Sequence, residues 1–142
     1  MRINDVIRHK GADVVTVGPE ATVGELLDLL SQHGIGALVV SADGHSVHGI
    51  VSERDVVRHL QSRGASVLEA PVSAIMTPEV STCAPGDDIE ALMRQMTDLR
   101  VRHVPVVVEG RLRGIVSIGD LVKHRIDELK SERDELVGYL NS

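Results

Sequence analysis

Two four-residue stretches carry the chemistry this chain can do: Ser52-Glu53-Arg54-Asp55 and Ser117-Ile118-Gly119-Asp120. Each sets a hydroxyl and a carboxylate three residues apart, just where an apolar Gly-Ile-Val run gives way to helical spacing. The start of a helix offers unpaired N–H groups and a partial positive charge, which suit a phosphate. A carboxylate in the first turn can accept from two vicinal hydroxyls, the arrangement a ribose presents. The same residues also serve a helix with no ligand, since serine is a strong N-cap and an acidic residue in the first turn complements the helix dipole. Sequence alone leaves both uses open.

Cations decide which stretch better suits a phosphate. Arg100, Arg102 and His103 enter the strand expected to pair with residues 113–116, which puts them near Asp120, where Arg102 or His103 can meet a phosphate. Gly119 removes a side chain beside the same place and permits close approach. In the first stretch the aligned residues are Gly36 and Ala37, so Arg54 or Arg58 has to substitute, with Glu53 partly offsetting them. On this reading the Asp120 cleft is the better phosphate site.

Other chemistry is thin. His45 and His48 flank a turn without the cysteines or clustered carboxylates of a metal site. Cys83, the single cysteine, has no basic partner fixed by sequence and reads as a small buried residue. Met76, Met93 and Met96 read as core and interface filler. No nucleophile–base pair stands at a credible spacing, which argues against an enzyme.

Composition narrows the classes further. The 142 residues suffice for one domain with a proper core, and 42% are hydrophobic and 25% charged, as in ordinary globular chains. Tyr139 is the only aromatic residue, which weakens stacking platforms for single-stranded nucleic acid and aromatic cages as readings. A net charge of −6 speaks against nucleic acid and anionic membrane as partners. No apolar run approaches a membrane span, residues 1–5 lack a signal-peptide core, and a lone cysteine forms no internal disulfide, so a cytoplasmic location is expected.

The chain repeats itself. Residues 49–59 have a near copy at 114–124, a displacement of 65 from Gly49 to Gly114. Upstream, Val14-Val15-Thr16 matches Val80-Ser81-Thr82 at a displacement of 66, and Pro19, Leu26 and Val40 match Pro85, Leu92 and Val106. The one-residue difference falls in the hairpin turn Ser41-Ala42-Asp43-Gly44. Each copy predicts a short strand (14–17, 80–83) and a helix (23–30, 89–96) capped by Thr22 or Asp88. A buried strand (37–40, 104–108), a turn at Asp43-Gly44 or Glu109-Gly110, and a second strand (48–51, 113–116) follow. A helix beginning near Ser52 or Ser117 closes the unit. Beyond the second copy, Val122, Ile126, Leu129, Leu136 and Leu140 stand at helical spacing with Arg133 interrupting the seam, as in a long helix packing on its own domain or a second subunit.

The paired Gly-Ile-Val-Ser-x-x-Asp motifs, with Ile75-Met76-Thr77-Pro78 and Val101-Arg102-His103-Val104-Pro105-Val106, closely resemble the cystathionine-β-synthase (CBS) domain family over about residues 6–125. The resemblance implies an α/β (α+β) fold of two β-α-β-β-α repeats, 6–62 and 73–126, related by a pseudo-twofold, with a C-terminal helical extension over 127–142. It implies a non-catalytic sensor that binds AMP, ADP or ATP, with NAD or S-adenosylmethionine as further candidates, in clefts between the repeats. Asp55 and Asp120 would then hold ribose, and Ser52 and Ser117 ribose or phosphate. Each cleft would be composite, with Val14, Val15 and Thr16 lining the Asp120 site and Val80, Ser81 and Thr82 the Asp55 site. Ile7, Val15, Ile35 or Ile118 would wall the base. A homodimer and a separate effector protein are the implied partners. The rival reading is a ligand-free dimeric scaffold in which both Ser-x-x-Asp elements are only caps.

Overall fold

Alternating and helical apolar patterns settle into two small α+β units in the computed structural model, which describes residues 1–10 and 14–141. Residues 11–13, inside the first expected repeat, and residue 142, at the end of the expected extension, lie outside the described residues. The first unit contains β1 (Thr16–Val17), α2 (Val23–His33), β2 (Ala37–Val40), β3 (Gly49–Ser52) and α3 (Glu53–Arg63). The second contains α4 (Ile89–Leu99), β4 (His103–Val108), β5 (Arg111–Ser117) and α5 (Ile118–Leu140). A helix outside the sequence expectation, α1 (Ile3–Lys10), opens the chain.

Caps place the helices. Thr22 and Glu25 form a reciprocal capping box at the start of α2, and Asp88 accepts from the Ala91 N–H at the start of α4. Gly34 ends α2 in the left-handed conformation (φ 62°, ψ 38°), and Arg100 ends α4 in almost the same one (φ 56°, ψ 37°).

In the first unit β1 runs parallel to β2, and β2 pairs antiparallel with β3, Ala37 opposite Ser52. In the second, β4 and β5 pair antiparallel with His103 opposite Ser117. The opening strand expected at residues 80–83 is reduced to one parallel bridge, Cys83 to Val106. The opening strand of the first copy is likewise shorter than expected, two residues long.

The two cores are crossed. Ile3 and Val6 of α1 pack among Cys83, Ile89, Leu92, Met96, Val104, Val116 and Leu121 of the second unit. Val67 and Val72, from the 3-10 turns Gly64–Glu69 and Val72–Ala74 that lead into the second copy, and Ile75, which follows them, pack in the core of the first. Backbone bonds repeat the exchange: the Ile3 N–H donates to Asp87 O at 2.9 Å, and the Val72 N–H donates to Ala21 O at 2.8 Å.

That crossing explains one glycine. The chain at Met76-Thr77 pairs with Ile50 through two backbone bonds, and a Cβ on Gly49 would lie 2.7 Å from Thr77 O and 2.8 Å from Met76 Sδ. Gly114 faces Ile7 of α1 in the same sense, but at 3.7 Å.

Helix α5 runs unbroken for 23 residues. Leu121 near its start is fully buried, whereas Ile126, Leu136 and Leu140 are 47%, 61% and 73% exposed. No helix among the described residues is long and apolar enough to cross a membrane.

Candidate ligand clefts between the repeats

Both Ser-x-x-Asp elements form complete capping boxes. The Ser52 N–H donates to Asp55 Oδ2 at 2.8 Å, and the Asp55 N–H to Ser52 Oγ at 3.4 Å. The Ser117 N–H donates to Asp120 Oδ2 at 3.0 Å, and the Asp120 N–H to Ser117 Oγ at 3.0 Å. Each carboxylate is thereby fixed at a helix N-terminus. In both, the capping contact goes to Oδ2, and Oδ1 has no protein partner among the described residues.

Each aspartate borders a cleft made by both units. The Asp55 cleft, about 290 Å³, is lined by Ser52, Arg54, Asp55 and Arg58 of the first unit. Val80, Ser81, Arg100, Arg102 and His103 line it from the second. The Asp120 cleft, about 550 Å³, joins Ser117 and Asp120 to Ile7, Lys10, Val14, Val15 and Ile35. Gly36, Ala37 and His103 line both, so the two clefts share a wall.

Their electrostatics differ. Arg54, Arg58, Arg100 and Arg102 are exposed guanidiniums in the Asp55 cleft, and none makes an ion pair or side-chain hydrogen bond among the described residues. Glu53 and Glu79 line the same cleft. In the Asp120 cleft Lys10 is engaged: Nζ donates to Asp120 Oδ2 at 2.7 Å and to Ile115 O at 3.0 Å. Burial pushes the Asp120 carboxyl upward, but hydrogen bonds from Lys10 and Ser117 and the charge of Lys10 outweigh it and hold the group below its ordinary value. His103 is held below the usual imidazole range, first by burial and next by Lys10, with Arg102 adding and Asp120 and Glu53 opposing.

A model of the CBS domain matches residues 3–62 and 72–127, most of the chain. The chain belongs to the CBS-domain family. The CBS domain-containing protein CBSX3, mitochondrial, of Arabidopsis thaliana is 34% identical over 97% of this chain and 71% of its own length. The crystal structure of the CBS-domain containing protein ATU1752 from Agrobacterium tumefaciens superposes with a TM-score of 0.84 at 48% identity, over 88% of this chain and 99% of that one. The CBS domain pair of protein MJ0100, solved in complex with 5′-methylthioadenosine and S-adenosyl-L-methionine, shares the fold at a TM-score of 0.79 and 20% identity, covering 90% and 98% of the two chains.

Within this CBS pair, Val14, Val15 and Ile35 stand in the Asp120 cleft, and Val80, Ser81 and Arg54 in the Asp55 cleft. Several expectations need correction. Arg102, expected beside Asp120, has its side chain in the Asp55 cleft, as does Arg100. Its backbone does adjoin α5, since Arg102 O accepts from the Ile118 N–H at 2.8 Å. Successive residues of an extended chain project to opposite sides, however, so the guanidinium crosses to the other cleft. His103 reaches both.

The guanidiniums of Arg100 and Arg102, expected beside Asp120, thus stand with those of Arg54 and Arg58 around Asp55. Gly119 gives no cleft clearance: it is exposed, and a Cβ there would meet only Ser117 Oγ, at 3.7 Å. Ile118 packs on the second core, Thr16 pairs with Val39 in the sheet, and Thr82 is exposed; all three lie outside the cleft linings.

Lys10, Thr77 and Glu79 are cleft residues that the sequence reading missed. For Lys10 a signal existed: Ile3, Val6, Ile7 and Lys10 fall on one helical face. Cys83 is buried, and burial followed by the charge of Asp87 pushes its thiol up to about 12, which leaves it inert.

Proposed function

We propose that this CBS pair is a non-catalytic regulatory module that binds an adenine nucleotide between its repeats, with the Asp55 cleft as the phosphate-holding site. The observation that carries the reading is the convergence, in one cleft, of a capped carboxylate with a spare oxygen, a helix N-terminus and four guanidiniums without partners among the described residues. Asp55 Oδ1 accepts from ribose hydroxyls, and the arginines meet the phosphate. Val80 and Ser81 offer backbone groups to the base. A ligand spanning both units changes their relative disposition only as far as it binds one arrangement better than another.

We further assign a homodimer in which the exposed apolar face of α5 contributes to the contact, and a separate effector protein that reads the nucleotide state. A buried, unpaired Cys83 suits a reducing compartment such as the cytoplasm.

Isothermal titration calorimetry against AMP, ADP, ATP, NAD and S-adenosylmethionine tests the reading. Saturable binding of a phosphate-bearing ligand is expected, with Asp55→Ala weakening it at least tenfold while the far-ultraviolet spectrum stays native. A ligand-free scaffold is the competing reading, and the two completed capping boxes favour it specifically. It predicts no heat with any ligand and about 1 kcal/mol of lost stability from Ser52→Ala or Ser117→Ala.

A further inference from the structure

The two repeats differ most where they face the clefts. Arg100 and Arg102 stand where the first repeat has Gly34 and Gly36. The equivalence of Arg100 and Gly34 is geometric as well: each caps its helix in the left-handed region, with its N–H directed at the carbonyls of Leu30 and Ser31 or Met96 and Thr97. For a residue with a Cβ that conformation costs about 1 kcal/mol. The glycine in the other copy shows what the backbone alone requires. Arg100 accepts the cost and makes no ion pair or side-chain hydrogen bond among the described residues in return.

Arg54 and Arg58 present a second unrewarded arrangement. They lie one turn apart on the exposed side of α3, where like charges at i and i+4 destabilise a helix by a few tenths of a kcal/mol, roughly 0.2–0.5. A shallow groove over Glu53, Arg54, Val57 and Arg58 shares its charged residues with the Asp55 cleft, so the cleft continues along this side of the helix. Glu53, Glu79 and Asp55 offset most of the charge of the four arginines that line the cleft. Selection of an anion here therefore rests on where guanidiniums can bind bidentately rather than on net field.

We propose that the Asp55 cleft selects nucleotides with two or three phosphates over monophosphates, the phosphate chain running out of the cleft past Arg54 and Arg58. This rests on the nucleotide reading of the cleft and adds the length of the phosphate chain. A single phosphate is met by the N-terminus of α3 and one or two guanidiniums. The remaining arginines, on the continuation of the cleft and at the strained Arg100, have work only when the chain is longer. The Asp120 cleft has glycines at the two equivalent positions and its lysine already engaged, so it gains nothing from added phosphates.

The test is calorimetric titration of the whole chain with AMP, ADP and ATP at one fixed ionic strength. ADP or ATP is expected to bind at least tenfold tighter than AMP. Arg58→Gln is expected to weaken ATP about fivefold to tenfold while moving AMP less than twofold, and Arg100→Gly to act in the same direction. Both side chains are exposed, and circular dichroism checks that the variants fold. AMP binding as tightly as ATP, or Arg58→Gln weakening all three ligands equally, overturns the inference and leaves the nucleotide reading standing. Binding of none of the three overturns both.

Discussion

Lys10 Nζ lies 2.7 Å from Asp120 Oδ2, joining the end of α1 to the first turn of α5 across 110 positions of sequence. The lysine occupies a donor place on the oxygen that already receives the Ser117 N–H. Any hydroxyl ligand of Asp120 must use the other oxygen or displace the lysine. Lys10→Met is therefore expected to raise the affinity of the Asp120 cleft for adenosine about threefold to tenfold. Both side chains are partly exposed, 40% and 30%, so the lost pair costs only about 0.5–1 kcal/mol, which urea denaturation measures.

The same pair fixes a pH dependence. The folded Asp120 carboxyl sits below its ordinary value of 3.8, so the folded state holds its proton less well than the unfolded chain does. The stabilisation is fully present above about pH 4 and is lost as pH falls through the lower folded value. An acid-unfolding series of the native chain and Asp120→Asn is expected to converge below that range and to diverge above it.

His103 gives a pH dependence of the same sign at higher pH. Its folded value is depressed, so its contribution is fully present above the unfolded value near 6.5 and declines as pH falls below it. Thermal melts between pH 8 and pH 5 are expected to show a loss of stability that His103→Gln reduces. An anion in the Asp55 cleft, which His103 also lines, draws the imidazole back toward protonation. Proton uptake on binding, measured in buffers of different ionisation enthalpy, should be smaller in the variant.

Gly49 and Gly114 occupy matching positions but should respond differently to alanine. At Gly49 the new methyl collides with a backbone carbonyl and a methionine sulfur, at 2.7 and 2.8 Å. The Ile50–Thr77 pairing has to shift, at a cost of about 2 kcal/mol. At Gly114 the nearest atoms belong to Ile7 at 3.7 Å, an ordinary contact. Equal midpoints for the two variants in urea would contradict this account.

Arg100→Gly should separate stability from binding. Relief of the left-handed arginine is expected to stabilise the fold by about 0.5–1 kcal/mol, less whatever glycine adds to the freedom of the unfolded chain. A raised denaturation midpoint together with weaker ATP binding is the expected pairing of results.

Much of this was legible in the residues. The caps at Thr22, Asp88, Ser52 and Ser117 and the buried run at residues 37–40 follow from local chemistry, which one sequence displays fully. The repeat located both aspartates. The side on which a side chain emerges was not legible: Arg102 lies beside α5 by backbone and in the opposite cleft by guanidinium, a matter of one residue of pleat. Lys10 escaped because its partner is set by packing between distant segments, which periodicity does not encode.

The exchange of lead-in segments between the cores bears on what can be inherited or dissected. A fragment ending at Arg63 would carry α1 without the core it fills, and its own core would lack Val67, Val72 and Ile75. Neither half is a smaller version of the whole. Halves expressed separately should recover their shape only when mixed, and a gene losing one copy would lose both. The heritable unit of this fold is the couple.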